Sequence, residues 1–305
     1  FTDDGRFEVI DEVVGCSFDI AAAVQLWEAT APAEEVSVPM EVTWPSVTGK
    51  QLRDSLFHDL LGACTTNYYN STDNRRSNVQ LCASKIDGTV LYPGDVFSYN
   101  GTVGARTEEA GFLPAPAYVD GDVKEEIGGG ACQVSSTLYA ATLFAFLETV
   151  ERSNHIFPVH YMQLGTDATV TIPEDGQVID FKFRNSKTHP VRIVARCDEE
   201  ACDLTFEIWG TLEDDDYMPV EFDNTWGWEY TYDRVIEPAR TDRPGYKIKL
   251  EHEKYYFEEG ERTGTRTLTY RRVFDTNGNL VAEDLTNMLL PNGLPGMDTY
   301  YDHQE

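Results

Sequence analysis

Residues 128–144 read Gly-Gly-Gly-Ala-Cys-Gln-Val-Ser-Ser-Thr-Leu-Tyr-Ala-Ala-Thr-Leu-Phe. Three glycines deliver a single cysteine, Cys132, to the front of an apolar run with helical patterning. Glycine reaches backbone angles closed to other residues and lets a second chain come close. A helix start carries unpaired N–H groups and the positive end of the macrodipole, so a thiol there ionises more readily. The same amides can hold an oxyanion. Cys132 is therefore the candidate nucleophile, with Gly129, Gly130 and Gln133 in the segment that lines it. A cysteine at a helix start also fits a small buried apolar residue, but a core cysteine has no use for the glycine triplet.

Working outward, the chain divides into three. Residues 1–48 read as a small α/β piece with a helix over 19–30 capped by Ser17 or Asp19, and a strand over 36–42. Residues 49–212 form the main domain. Helices are expected over 51–61 and 76–86, a polar loop over 65–74, and an aromatic strand by residue 99. A glycine-bounded loop over 101–111 carries Arg106, and a hairpin turns about Asp120-Gly121-Asp122. Strands follow the cysteine helix near 169–172, 178–184, 191–197 and 204–209. The acidic run 213–216 reads as a linker to a strand-rich module over 213–305. There, Asp275-Thr-Asn-Gly reads as a hairpin turn, since its glycine is misplaced for an EF-hand loop. The fold class is α+β, a helix and antiparallel-sheet domain between an α/β piece and an all-β module.

A formal charge of −29 on 305 residues argues against nucleic acid or an anionic membrane as a partner, since both need basic patches. It fits an exported protein. No apolar run is long enough to cross a bilayer. The chain opens inside an apparent element, so it reads as part of a longer protein, and any membrane contact is expected through an N-terminal anchor beyond it. Cys197 and Cys202 flank a turn that a disulfide could close, and Cys64 and Cys82, on helix-like segments, are a second candidate pair; geometry decides both. No cysteine or histidine spacing matches a zinc site, and no cofactor is expected.

Several strings together resemble the VanW domain of Gram-positive envelope proteins. They are Gly128 to Tyr139 with 103–112 before it, Leu-Tyr-Pro-Gly-Asp-Val-Phe-Ser-Tyr-Asn (91–100), Val-Glu-Arg-Ser-Asn-His (150–155), Gly-Thr-Asp-Ala-Thr-Val (165–170) and Asp-Phe-Lys-Phe-Arg-Asn (180–185). They run in order over roughly 55–210. Residues 1–50 resemble the tail of a peptidoglycan-binding domain, and the last strands partly resemble a glycine-marked extracellular β module. The resemblance implies an extracellular place in the cell envelope and peptidoglycan stem peptides as partners. Some members of the family are L,D-transpeptidases that crosslink stem peptides through a cysteine. A non-catalytic wall-binding scaffold and a cysteine amidase or endopeptidase are the alternatives.

On that reading Cys132 attacks and His155, at the family's histidine position, is the base; His160 is the alternative. An unbroken helix from 133 to 152 would be about 30 Å long and would carry His155 away from Cys132. A helix stopping near Phe146, after about 20 Å, lets the chain return as a strand at roughly 3.3 Å per residue. Family members often have glycine there, but β-branched Thr149 and Val150 still favour the return. Asp167 either orients the histidine or serves as a turn aspartate. Arg106 either binds a substrate carboxylate or pairs with Glu108 or Glu109. Tyr99, Asn100, Ser135 and Ser136 complete the substrate-side candidates, and Tyr139 reads as packing.

Overall fold

The computed structural model describes residues 9–46, 48–50, 56–119, 122–172, 178–223, 233–235, 243–260, 262–288, 290 and 294–302. It separates into two compact units, residues 1–56 and 57–305. In the first, β1 (Gly15–Ser17) pairs antiparallel with β2 (Glu41–Thr43), and α1 (Ile20–Ala29) lies between them in sequence. The Asp19 carboxylate caps α1 through the amides of Ala21 and Ala22, at 2.8 and 3.1 Å, which satisfies two of its orphan donors.

The second unit is mixed α+β. Antiparallel strands β3 (Asp59–Asn67), β11 (Asp203–Gly210), β10 (Val191–Asp198) and β4 (Val90–Leu91) form its first sheet, in that order. Helix α2 (Asp73–Ile86) packs on β10, and α4 (Ala131–Phe144) packs on β3 and β11. A second sheet orders β5 (Val96–Ser98), β9 (Lys182–Arg184) and β8 (Glu148–Glu151), with the short helix α3 (Tyr99–Val103) directly after β5. β6 (Pro114–Val119) and β7 (Asp122–Ile127) make a hairpin whose tip, 120–121, lies outside the described residues.

The C-terminal strands are β12 (Met218–Asp223), β13 (Asp233–Val235), β14 (Gly245–Glu259), β15 (Arg262–Asp275), β16 (Leu280–Leu285) and β17 (Asp298–Tyr301). They form one sheet in the order β13-β12-β14-β15-β16, with β17 also on β15. They sit in the same compact unit as the segment before them. The acidic run does not lie free: Glu213 accepts from the Thr188 amide and hydroxyl, and Asp216 pairs with Lys187.

Several expectations change: the loop expected over 65–74 lies in β3 up to Asn67 and in α2 from Asp73, and the strand expected over 36–42 is replaced by the short β2, Glu41–Thr43. Residues 59–61 begin β3 rather than ending a helix, and 51–55 lie outside the described residues. β3 is buried almost throughout, with α4 packed on it and β12 also in contact with it, and a strand buried along its length loses its alternation. Residues 169–172 make one isolated bridge, Thr171 to Ile179, in place of a strand. None of the six cysteines is bridged. The Cys202 thiol turns to the Glu199 carbonyl at 3.5 Å while Cys197 sits in the ladder opposite Leu204. Cys64 lies in β3, its thiol toward the Thr65 carbonyl at 3.8 Å.

Candidate active site

The glycine triplet does two separate jobs. Gly130 is the N-cap of α4 at φ 111°, a backbone conformation side chains avoid, and it offers no capping side chain. Gly129 lies under the β6–β7 hairpin, where a Cβ would stand 2.6 Å from the Ala115 carbonyl oxygen. Turn bonds from Ala131 and Gln133 to the carbonyls of Gly128 and Gly130 use two of the amides at this end. The amides of Gly130 and Cys132 are not engaged by these turn bonds. Every residue of α4 except Cys132 is buried, so the half-buried thiol is the one point at which this helix meets the site.

The helix stops where the return path needs it to. Ala145 is the C-cap and Phe146 takes φ 57°. The Leu147 amide donates to the Thr142 carbonyl and the Phe146 amide to Leu143, at 3.1 and 3.2 Å. This is a Schellman closure with phenylalanine in the position that usually takes glycine. The Arg271 guanidinium lies 3.6 Å from the Phe146 ring centroid and donates to the Leu143 carbonyl at 2.6 Å. Ring packing and a carbonyl ligand thus offset the left-handed strain. β8 then runs back and delivers Arg152 and His155.

Asp167 closes the set. Its Oδ2 accepts from the His155 backbone amide at 2.7 Å and lies 2.6 Å from Nδ1 of the same ring. That leaves Nε2 free of Asp167, and the imidazole and the Cys132 thiol act on each other's ionisation. The Cys132 sulfur also lies 3.5 Å from the Val170 carbonyl oxygen. Asp167 is 1% exposed and His155 15%, so the ring alone of this pair reaches the surface.

Burial opposes ionisation of all three groups, and their mutual contacts override it. For Cys132, burial raises the pKa, but the hydrogen bond and charge of His155 hold the thiol below its ordinary value. For His155, burial works downward and Asp167 and Cys132 together push it up to about 10. Burial likewise raises Asp167, yet His155 and Arg152 hold it at about 2. These contacts favour the thiolate–imidazolium form of the pair, with the Asp167 carboxylate behind it.

The sequence-derived candidates fall into two groups. Cys132, His155 and Asp167 come together. His160 lies at the rim, edge-on to Tyr161 at 5.5 Å and influenced by Arg75, with no contact to Asp167. Arg106 faces the thiol electrostatically and donates to Asn100 Oδ1 at 2.8 Å, while its buried Nε and Nη1 find no protein acceptor among the described residues. The expected pairing with Glu108 or Glu109 is not among its contacts.

Tyr99, Gln133, Ser135 and Ser136 are buried and bonded within the protein, so they hold the frame rather than line a substrate path. Tyr99 donates to the Ala131 carbonyl at 3.0 Å. Gln133 donates to Thr66 Oγ1 and the Asn67 carbonyl and accepts from Arg75. Ser135 and Ser136 bond to Ala168, tying α4 to the loop of Asp167. Asn100 is spent on the Ile179 carbonyl and Arg106. Tyr139 is packing, as read: Arg152 lies 5.0 Å from its ring centroid.

Arg75, Tyr161, Arg152 and Tyr300 were not singled out from sequence. Arg75 bonds Gln133 and Ser71, and its charge reaches Tyr161 and Cys132. Arg152 lies inside a quoted string, which was the one available signal; Tyr300 carries none. Among the described residues no cluster of three or more His, Cys, Asp or Glu is placed to hold a metal ion, and no helix is long and apolar enough to cross a membrane.

The fold and site define a cysteine–histidine–aspartate constellation at the start of a buried helix in an α+β frame. Residues 74–209 match the family described as VanW like protein, and the chain carries a VanW-like domain there. It is 39% identical over 163 residues to the uncharacterized protein YoaR of Bacillus subtilis (strain 168), covering 53% of this chain and 52% of that protein. It is 28% identical over 148 residues to the vancomycin B-type resistance protein VanW of Enterococcus faecalis (strain ATCC 700802 / V583), covering 47% of each. The chain thus spans about half the length of these curated relatives. No solved structure matches it.

Proposed function

We propose that the protein is a cysteine acyltransferase of the L,D-transpeptidase type, crosslinking peptidoglycan stem peptides in the envelope of a Gram-positive bacterium. The observation that carries the enzymatic part is the His155 imidazole, fixed by Asp167 through Nδ1 and interacting with the Cys132 thiol, whose pKa it lowers. The substrate class rests on the VanW resemblance and on a relative whose name records vancomycin resistance.

In the first half-reaction the Cys132 thiolate attacks the carbonyl carbon of a donor peptide bond. The oxyanion is held by the Gly130 and Cys132 amides at the helix start. Collapse breaks the C–N bond, and imidazolium His155 gives its proton to the departing amine, leaving a thioester. In the second half, neutral His155 takes a proton from the acceptor amine as that amine attacks the thioester. The new amide forms, and Cys132 leaves as the thiolate beside imidazolium. Arg106, with two buried guanidinium donors that find no acceptor among the described residues, binds a carboxylate of the stem peptide.

Purified muropeptides with wild-type protein and with Cys132→Ala test this. Crosslinked dimers made only by the wild type support transfer. Shortened monomers mark an amidase or endopeptidase, with water as acceptor. Muropeptide binding without any Cys132-dependent product marks a scaffold.

A further inference from the structure

We infer that Tyr300, on the last strand of the chain, is a positioning residue for Asp167, so that the active site is completed by strands outside the VanW-like segment. The inference rests on the cysteine-enzyme reading above and deepens it.

The two oxygens of Asp167 divide their partners. Oδ2 belongs to His155, through its amide and Nδ1. Oδ1 accepts from the Tyr300 hydroxyl at 2.5 Å and from Arg152 Nη2 at 3.2 Å. A carboxylate facing an imidazole can rotate about its last torsion, and two donors on the far oxygen stop it. Tyr300 also fixes the loop itself, since its hydroxyl accepts from the Gly165 amide at 2.7 Å. Gly165 in turn presses on β15, where a Cβ would fall 1.8 Å from Thr269 Oγ1.

The charges around Asp167 also need the last strand. Arg152 is 4% exposed; Nε donates to the Asp167 carbonyl at 2.6 Å and Nη1 pairs with Asp298. With Asp298 balancing Arg152, Asp167 is left to balance imidazolium His155. Tyr139 from α4 and Tyr161 are the other titratable groups against this cluster, and burial, the leading cause for both, raises their pKa so that they stay neutral. β17 is also joined to the chain on either side of His155. Asn154 donates to the Thr299 carbonyl, and the Tyr301 amide to the Ile156 carbonyl, each at 2.8 Å. None of residues 298–301 falls in the segment that matches the family.

Two readouts test it on the full chain. One is the strongly deshielded proton resonance of His155 Nδ1 bonded to Asp167. The other is the rate of Cys132 alkylation by iodoacetamide, followed by peptide mass across pH. The wild type is expected to show the resonance and to alkylate at lower pH than an ordinary thiol, and Asp167→Asn to lose both. Tyr300→Phe is expected to broaden or lose the resonance and to slow alkylation at about pH 6 by roughly fivefold to tenfold. Tyr301→Ala, which removes a ring packed on Phe257 instead, keeps both. If Tyr300→Phe does not fold, Asp298→Asn decides by the resonance, because Arg152 then draws on Asp167 alone.

A wild-type resonance and profile in Tyr300→Phe, with Asp167→Asn deficient, overturns the inference while the cysteine reading stands. Slowing by the same factor at every pH, the mark of a merely structural role, also overturns it. A wild-type Cys132 that behaves as an ordinary thiol overturns both.

Discussion

A single oxygen of Asp167 takes both the backbone amide and the ring Nδ1 of His155, at 2.7 and 2.6 Å. The carboxylate therefore fixes the main chain and the tautomer of the histidine together. Replacing it does more than remove a charge.

The pH dependence of stability follows from this pair. His155 is raised from about 6.5 to about 10, so its contribution is fully present below 6.5 and is lost as pH rises through about 10. Asp167 is depressed to about 2, so its contribution is present above its ordinary value and is lost as pH falls toward 2. Asp167→Asn removes the Asp167 contribution and the part of the His155 contribution that Asp167 supplies. Thermal melts of the two proteins should differ most between about pH 4.5 and 6.5, with the gap narrowing as pH rises through about 10 and closing further toward strong acid. A gap that stays constant across pH would contradict the assignment.

Phe146 carries left-handed strain that its ring offsets. Phe146→Gly and Phe146→Ala both lose the contact with Arg271, but alanine alone keeps the strain. Alanine should therefore be the less stable of the two by about 1 kcal/mol in urea titration. Equal stabilities would mean that the left-handed backbone costs nothing here.

Gly62 is where β3 meets the nucleophile helix. A Cβ would stand 2.3 Å from the Ala141 carbonyl oxygen and 2.5 Å from the Ala145 amide. Both atoms are backbone, so the helix itself must move. Gly62→Ala should cost about 2–3 kcal/mol and slow Cys132 alkylation as well. Unchanged stability would show that the helix is not seated on this strand.

Arg106 is the substrate-side cation of the account. Arg106→Lys keeps the charge and loses the planar fork. It should lower kcat/KM for muropeptides by about tenfold through KM, and Arg106→Gln by more. The alkylation of Cys132 by a neutral reagent should change far less in either. Unaltered KM in both variants would remove Arg106 from the binding role.

Much of the site was legible because local signals agreed. The glycine triplet before an apolar helical run marks the cap and the cysteine, and β-branched residues after Phe146 mark the return that brings His155 back. The Phe146 stop was harder to read, since its support comes from Arg271, 125 positions on. Ser135, Ser136, Gln133 and Tyr99 were read as lining because polar residues beside a nucleophile look available. Their hydrogen bonds to Ala168, Asn67 and Ala131 could not be seen from spacing. β3 was misread because a strand buried almost throughout has no alternation to show. Tyr300 left no trace in sequence, because its partnership with Asp167 is a product of tertiary packing.

Intact-protein mass after brief exposure to muropeptides tests the central claim most directly. The account predicts a stem-peptide acyl adduct on the wild type, located on Cys132, lost in Cys132→Ala and discharged on adding an acceptor amine. No adduct on Cys132 under conditions where muropeptides bind, or an adduct that persists in Cys132→Ala, would contradict it.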